Sequence, residues 1–374
     1  MSPFPEKEPG SAGRPVRRIG AKLLLLFVTL GLCLGLLELA ARLLLPWSNP
    51  RVQIPYQRTT NGIALGPRNQ TVRLATPKGD YDLLLHFNED GFRDAKNLRE
   101  ASEADWFALG DSYTLGVGVQ EAERFSNLLE EAFKTNGPAL SGARVFNIAI
   151  PDNIIGYQRL LKYAESRIPA LAGKGGVRHL VVGVCMENDL WDYHEGRSSW
   201  DIPLGADSPG AAADGAGAKR VPLRQWFKSH SALYITASYE LQKIPFLRRW
   251  LERSGIARNV EQLAGQNEWN ETILTSSRDE VLKLVGGRDA FVLIVPSRLL
   301  WHGHNQETER RVHETFVRLL REAGVRVVDP KEALEKQGAP LDCYFKTDPH
   351  WNARGHAIAT RELFEAIRSN RAAH

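Results

Sequence analysis

The run LLLLFVTLGLCLGLL at positions 23–37 carries no charged residue and constrains this chain more than any other segment. Continued through Glu38 to position 45, the mostly apolar stretch reaches the roughly 20 residues that a helix needs to span the hydrocarbon core of a bilayer. Glu38 and Arg42 stand four apart on one helix face, placed to pair or to reach the far interface. Arg14, Arg17, Arg18 and Lys22 precede the run, so the positive-inside rule puts the N-terminus in the cytoplasm and everything after Pro46 outside it. A cleaved signal peptide is the competing reading. The run lies at or beyond the upper limit of a signal h-region and no convincing small-x-small site follows, which favours an uncleaved anchor. The expected layout is a basic tail at 1–22 and a single-pass transmembrane anchor at 23–45.

The rest of the chain has ordinary globular arithmetic. Of 374 residues, 43% are hydrophobic and 25% charged, which excludes disorder, collagen and a disulfide scaffold. Lys+Arg 48 against Asp+Glu 44 leaves a net charge of +4 with no densely basic stretch, so nucleic acid is not an expected partner. No CxxC or Cys/His cluster suggests zinc, and no cofactor is implied. His302 and His304 in WHGHN lack a third ligand and are read as loop residues. Of the three cysteines, Cys33 lies in the apolar run, which leaves Cys185 and Cys343 either as a disulfide in an oxidising compartment or as buried free thiols.

Positions 46–104 are mixed and turn-rich, with short alternating runs, TVRLAT and YDLLLHFN, that predict hairpin strands in a lead-in segment. From 105 to 374 apolar strands alternate with amphipathic helices. DWFALG precedes a helix at 121–135, ARVFNIAI one at 154–166, and AFVLIVP one at 307–322, with VRHLVVGVC and VRVVD as further strands. That rhythm argues for an α/β domain with a parallel sheet covered on both faces. It is interrupted by a flexible Gly/Ala/Pro-rich loop at 204–220. At 221–255 apolar residues at helical spacing, broken at Pro245, form either a helical cap over a site or ordinary packing helices.

Ligands of open parallel sheets bind at the carboxyl ends of the strands, and three such ends carry chemistry-bearing residues. FALGDSYTLGVGV ends the first core strand at Gly110, Asp111 and Ser112, a place for a nucleophile or a plain turn. In FKTDPHWNARGHAIAT, Asp348 and His350 are two apart, so in an extended segment they project to one side. Asp348 can then orient the imidazole that takes the serine proton, or it caps the helix starting near Asn352. His356, inside that helix, is read as structural. VVGVCMENDLWDY ends at Glu187, Asn188 and Asp189, where an Asn side chain can donate to an oxyanion or shape a turn. NIAIPDNIIGYQ offers backbone N–H groups for the same oxyanion. Tyr113, Tyr157, Trp191, Tyr193 and Trp351 near these ends form either a platform for sugar rings or part of the core; Tyr113, Trp191 and Trp351 are the substrate-binding candidates.

Together these blocks resemble the SGNH/GDSL hydrolases, more narrowly the bacterial membrane-anchored members in which a hydrophobic helix and an NxxGFR lead-in, here FNEDGFRD with its motif from Asn88 to Arg93, precede the GDS block. The resemblance covers 88–366 less the cap region, and four blocks in the right order are more specific than any one. It implies a flavodoxin-like three-layer fold, Ser112 as nucleophile, Ser112 N–H and Asn188 in the oxyanion hole, and Asp348 and His350 as triad partners. In the second block the family usually has glycine where this chain has Asp152, whose backbone N–H is the expected third oxyanion donor; Gly156, four residues later, is an alternative match. An Asp carboxylate near a developing oxyanion is unfavourable unless it points away. Many members use Asp-x-x-His, whereas Asp-x-His-Trp here is similar to polysaccharide O-acetyltransferases of related fold.

The expected activity is therefore that of an SGNH/GDSL-type ester hydrolase acting on an acyl, foremost acetyl, ester of cell-envelope carbohydrate or on a small ester. A polysaccharide O-acetyltransferase using the same Ser-His-Asp triad, or a non-catalytic glycan- or partner-binding member, are the alternatives. The resemblance places the domain outside the inner membrane, in the periplasm, beside cell-envelope polysaccharide assembly proteins as potential partners.

Overall fold

A computed structural model of the chain describes residues 14–59, 62–76, 79–136, 140, 142–196, 226–227, 230–242, 244, 246–247, 269–303 and 305–372. The anticipated loop at 204–220 and much of the segment read as a cap lie outside them. The first helix, Arg14–Leu44, is apolar and long enough to cross a membrane over Lys22–Leu44, with a mean hydropathy of 2.5. Leu24, Phe27, Leu32 and Leu36 are each about two-thirds exposed, so this stretch packs on no other part of the described structure. Only its last turns meet the folded body: Ala41 is buried, Arg42 Nε donates to Glu38 Oε1 at 2.7 Å, and the helix Ala232–Gln242 lies against them.

Two antiparallel hairpins follow. Strand β1 (Gln57–Arg58) pairs with β2 (Ala64–Leu65), and β3 (Gln70–Ala75) with β4 (Asp82–Phe87), in register from Gln70 opposite Phe87 to Ala75 opposite Asp82. Leu83, Leu85 and Phe87 alternate inward along β4, the period-two pattern of a half-buried strand.

The core sheet is parallel and five-stranded, with β5 (Trp106–Leu109), β6 (Val145–Asn147), β7 (His179–Cys185), β8 (Asp289–Val295) and β9 (Val327–Val328) in the order β6-β5-β7-β8-β9. Every residue of β5 and β7 is buried, as expected of strands covered on both faces. Trp106, Ala108, Val181 and Leu293 face one apolar cluster, which the helices Phe125–Asn136 and Ala353–Ala372 complete. Phe107, Leu109, Val182 and Ile294 face the other, closed by Ile154–Ser166, Glu271–Val285 and Gln306–Glu322. This is a three-layer α/β fold with flavodoxin-like strand order. Chain order reverses around β5, so the connections from β5 and β7 leave to opposite faces of the sheet and open a crevice beyond the carboxyl ends of these two strands.

Cys185 and Cys343 are both buried and free, so of the two readings the buried thiols hold and the disulfide does not; each packs as a small apolar side chain in the first cluster. Asp289 fastens the sheet at the end away from that crevice. Its carboxylate meets His179 Nδ1 at 2.9 Å and Arg326 Nη1 at 2.5 Å, and chiefly the His179 bond, then Arg326, holds it down at about 2 against the cost of burial. A depressed carboxyl adds stability that is complete above its unfolded pKa and is lost as pH falls through the folded one. Asp289→Asn is expected to lose about 1–2 kcal/mol at neutral pH, with the difference from the parent closing as pH drops towards 2. Urea denaturation across that range checks it.

Candidate active site

The loop after β5 is shaped by contacts too close for a larger residue. A Cβ on Gly110 would lie 2.2 Å from Thr114 Oγ1 and 3.0 Å from Gly183 O, so only glycine lets β5 turn here beside β7. Asp111, buried, caps the short helix Ser112–Leu115 by accepting from Tyr113 N at 2.9 Å. Ser112 takes the first helical position, where its N–H has no partner among the described residues. Burial pushes the Asp111 carboxyl up, against the His350 charge and donors that include Tyr113 N–H and the Asn188 side chain.

The NxxGFR motif supports this helix from below. Asn88 Oδ1 accepts from the N–H groups of Asp90 and Phe92 at 3.0 Å each, which folds the motif into a turn. Arg93 is thereby inserted beneath the helix Ser112–Leu115, donating to the carbonyls of Leu115 at 3.1 Å, Gly116 at 2.5 Å and Val119 at 2.7 Å. Those are the carbonyls a short helix and the loop after it leave unsatisfied. Arg124, also fully buried, donates to Arg93 O at 2.5 Å and extends the support.

Asp348 and His350 arrive on the loop before the last helix, closed by Phe345 N donating to His350 O at 3.0 Å. His350 Nε2 stands 2.7 Å from Ser112 Oγ, and His350 Nδ1 stands 2.5 Å from Asp348 Oδ1. Burial works to raise the Asp348 carboxyl, but bonds and charge from His350 and a bond from Tyr81 bring it below the ordinary value, so it is ionised at neutral pH. A carboxylate on Nδ1 fixes the tautomer whose Nε2 is free to take the serine proton. Serine, imidazole and carboxylate thus form one unbroken chain of hydrogen bonds at the crevice.

Two members of this cluster carry no signal in the sequence. Tyr81 and Asp80 sit at the turn between β3 and β4. Tyr81 Oη donates to Asp348 Oδ2 at 2.9 Å, while Asp80 Oδ2 accepts from the N–H of Thr347 and of Asp348, at 2.9 and 3.0 Å, and from the Thr347 hydroxyl. Gly118 (φ +90°) admits Tyr81 and Phe345, whose rings meet edge to face at 5.2 Å; a Cβ there would stand 2.3 Å from Phe345. The lead-in hairpin therefore clamps the His350 loop. Removing the Tyr81 hydroxyl leaves the clamp packed but frees one oxygen of Asp348. Tyr81→Phe is expected to lower kcat about tenfold with KM and Tm near parent values, measured by steady-state kinetics on an acetyl ester.

The expected oxyanion donors fall into two classes. Asn188 precedes the helix Asp189–His194 at the end of β7 and bonds Asp111 through its side chain, which holds its amide at the crevice. In the second block, Asn153 caps the helix Ile154–Ser166 and takes the N–H of Gly156 at 3.2 Å. Gly156 is thereby removed as an oxyanion donor, and Asp152 remains. Its carboxylate turns back onto that helix, lying over the Cα of Gly156 and accepting from Asn153 N at 2.8 Å. A helix N-terminus is where such a charge is stabilised.

The aromatic platform is largely overturned. Tyr113 and Trp351 are 3% and 0% exposed, and Tyr157 is fully buried. Tyr113 stacks obliquely on His350 with centroids 4.8 Å apart, meets Trp351 edge to face, and donates to Pro349 O at 2.7 Å. Both rings support the histidine loop from the core side. Trp191 is half-buried and packs edge to face on half-buried Trp269, centroids 5.7 Å apart. His356 is fully buried, its Nδ1 accepting from Phe125 N at 3.3 Å, and burial, then Arg124 and Arg93, push it down to about 3. Its place is structural. Among the described residues no three His, Cys, Asp or Glu side chains cluster as a metal site.

Comparison with known proteins adds a resemblance to this geometry. Residues 249–374 match the family model described as SGNH hydrolase-like domain, acetyltransferase AlgX. No curated protein matches the chain. Similar solved structures include an acetyl xylan esterase from Geobacillus stearothermophilus, at 15% identity and TM-score 0.38 over 71% of this chain and 95% of that one. A lipolytic G-D-S-L family member from Veillonella parvula shows 10% identity and TM-score 0.35 over 70% and 96%. A lipase/acylhydrolase from Enterococcus faecalis shows 12% identity and TM-score 0.37 over 71% and 96%.

Proposed function

We propose, for a chain whose residues 249–374 match an SGNH hydrolase-like family model, an ester-acting serine enzyme that takes an acetyl group onto Ser112 and passes it to a hydroxyl of cell-envelope carbohydrate. The observation that carries the ester chemistry is the continuous Ser112–His350–Asp348 hydrogen-bond chain. Ser112 Oγ attacks the ester carbonyl as His350 Nε2 takes its proton. The imidazolium, held against Asp348, returns that proton to the departing alcohol. Ser112 N–H, the Asn188 amide and the backbone at Asp152 receive the oxyanion. The acetyl-serine is then resolved by a second hydroxyl, with His350 acting again as base.

Transfer rather than hydrolysis is favoured by one observation: the family model described as an acetyltransferase matches the part of the chain that holds the Asp348-x-His350-Trp351 block. Hydrolysis is the second reading and differs only in that water is the acceptor. The half-buried Trp191 and Trp269 offer the sugar-stacking surface that either reading needs. The apolar helix Lys22–Leu44 acts as an uncleaved inner-membrane anchor that holds the domain in the periplasm.

The test is the fate of acetyl from p-nitrophenyl acetate with the full chain in detergent, with and without neutral and acidic oligosaccharides. Acetylated oligosaccharide formed in preference to free acetate supports transfer. Acetate alone at every acceptor concentration reverses the order of the two readings.

A further inference from the structure

We propose that the helix Ala232–Gln242, with Trp226, Phe227, Ile244 and Phe246 beside it, is a second membrane contact, lying in the headgroup region of an anionic bilayer beside the anchor and seating the folded domain on it. The proposal rests on the anchor reading above and adds a surface to it. Its starting point is the depth at which this segment meets the apolar helix. Glu38 is six residues inside the end of the span at Leu44, about 9 Å along a helix. At that level its carboxylate accepts from Ala232 N at 2.9 Å, Leu233 N at 2.9 Å and Ser231 Oγ at 2.8 Å, besides Arg42. Arg42 Nη2 in turn donates to His230 O at 2.6 Å. An acidic residue inside an apolar span is costly unless it is paired and hydrogen-bonded, and here the N-terminus of the helix Ala232–Gln242 supplies the donors. That helix consequently begins within the outer part of the span, not above it.

The side chains around it fit that depth. Leu241, Ile244 and Phe246 are exposed, Phe246 by 67%, while the partly exposed Trp226 and Phe227 stack on His230 and Tyr234 of the same segment. Trp47, just past the span, meets Tyr239 edge to face at 5.2 Å, which puts an aromatic pair where interfacial belts form. Between positions 219 and 253 the sequence carries eight Lys or Arg against two Glu, interleaved with these aromatic and apolar residues. Apolar side chains flanked by cations are the composition of segments that lie in an anionic interface.

The experiment uses the full chain with Cys33→Ser, reconstituted into vesicles of phosphatidylethanolamine and phosphatidylglycerol. The two remaining cysteines are buried, so a bimane label reports one added site, Phe246→Cys or, within the anchor, Leu30→Cys. A headgroup-level nitroxide lipid is expected to remove on the order of half the emission at 246, as a group held some 5–10 Å into the boundary requires. A deep nitroxide lipid is expected to quench the label at 30 more strongly. Quenching at 30 with none at 246 overturns this proposal while the anchor stands. That includes a label at 246 shielded from aqueous iodide yet untouched by lipid, which means a second copy of the chain covers it. Quenching at neither site overturns the anchor reading and this one together.

Discussion

Ser112→Ala is expected to leave a folded protein whose release of p-nitrophenol from p-nitrophenyl acetate falls on the order of 10⁴-fold or more, to the level of the oxyanion groups and binding alone. Among the described residues Ser112 Oγ is the only hydroxyl bonded to His350 Nε2, and the alanine keeps the backbone N–H at the start of the helix. The Asp111 cap on Tyr113 and the Arg93 bonds to Leu115 and Gly116 do not involve the lost oxygen, so circular dichroism and Tm should match the parent. Acetyl should also cease to appear on the protein when the reaction is quenched and analysed by intact mass. Equal turnover in both proteins would remove Ser112 from the chemistry whatever the fold.

What the sequence reveals and what it conceals divide along a physical line. Asp348 and His350 are legible because a two-residue offset in extended chain already places both on one side, and Ser112 because it follows a buried strand. The same adjacency misleads on the aromatics. Trp351 follows His350 in an extended stretch and Tyr113 follows Ser112 at a helix start, so each is turned away from the catalytic side chain and into the core. Asp80 and Tyr81 are invisible because their contacts are made 267 and 268 residues away, and no spacing or periodicity encodes that distance. Alternating strands and helices indicate a parallel sheet, yet the placement of β6 outside β5, which creates the crevice, depends on tertiary packing. Likewise the apolar spacing within 221–255 indicates helices without naming a partner, which for Ala232–Gln242 is the apolar first helix.

The clamp ties these parts into one mechanical path. The short turns after the first helix, Pro46–Ser48 and Pro50–Val52, pack on β3, and Asp80 and Tyr81, in the turn before β4, hold the His350 loop. The apolar first helix is therefore connected to the His350 loop through packed elements.

Asp348→Ala is expected to lower kcat by about 10⁴, because His350 loses the acceptor that selects its tautomer and the charge that stabilises its protonated form. Asp348→Asn separates these two contributions. Asp348 Oδ1 accepts both the His350 side chain and the His350 backbone N–H, the latter at 3.0 Å, so an asparagine must keep its carbonyl oxygen there. Its amide then points to Tyr81, whose hydroxyl can turn from donor to acceptor. The tautomer survives and only the charge is lost, so the expected fall is roughly 10², well short of the alanine variant. In the Tyr81→Phe background the amide has no acceptor, and Asp348→Asn should cost about tenfold more than it does alone. Steady-state kcat for the four proteins of that cycle checks the reasoning. Additive effects of Asp348→Asn and Tyr81→Phe would show that the hairpin turn only packs against the carboxylate and does not orient it.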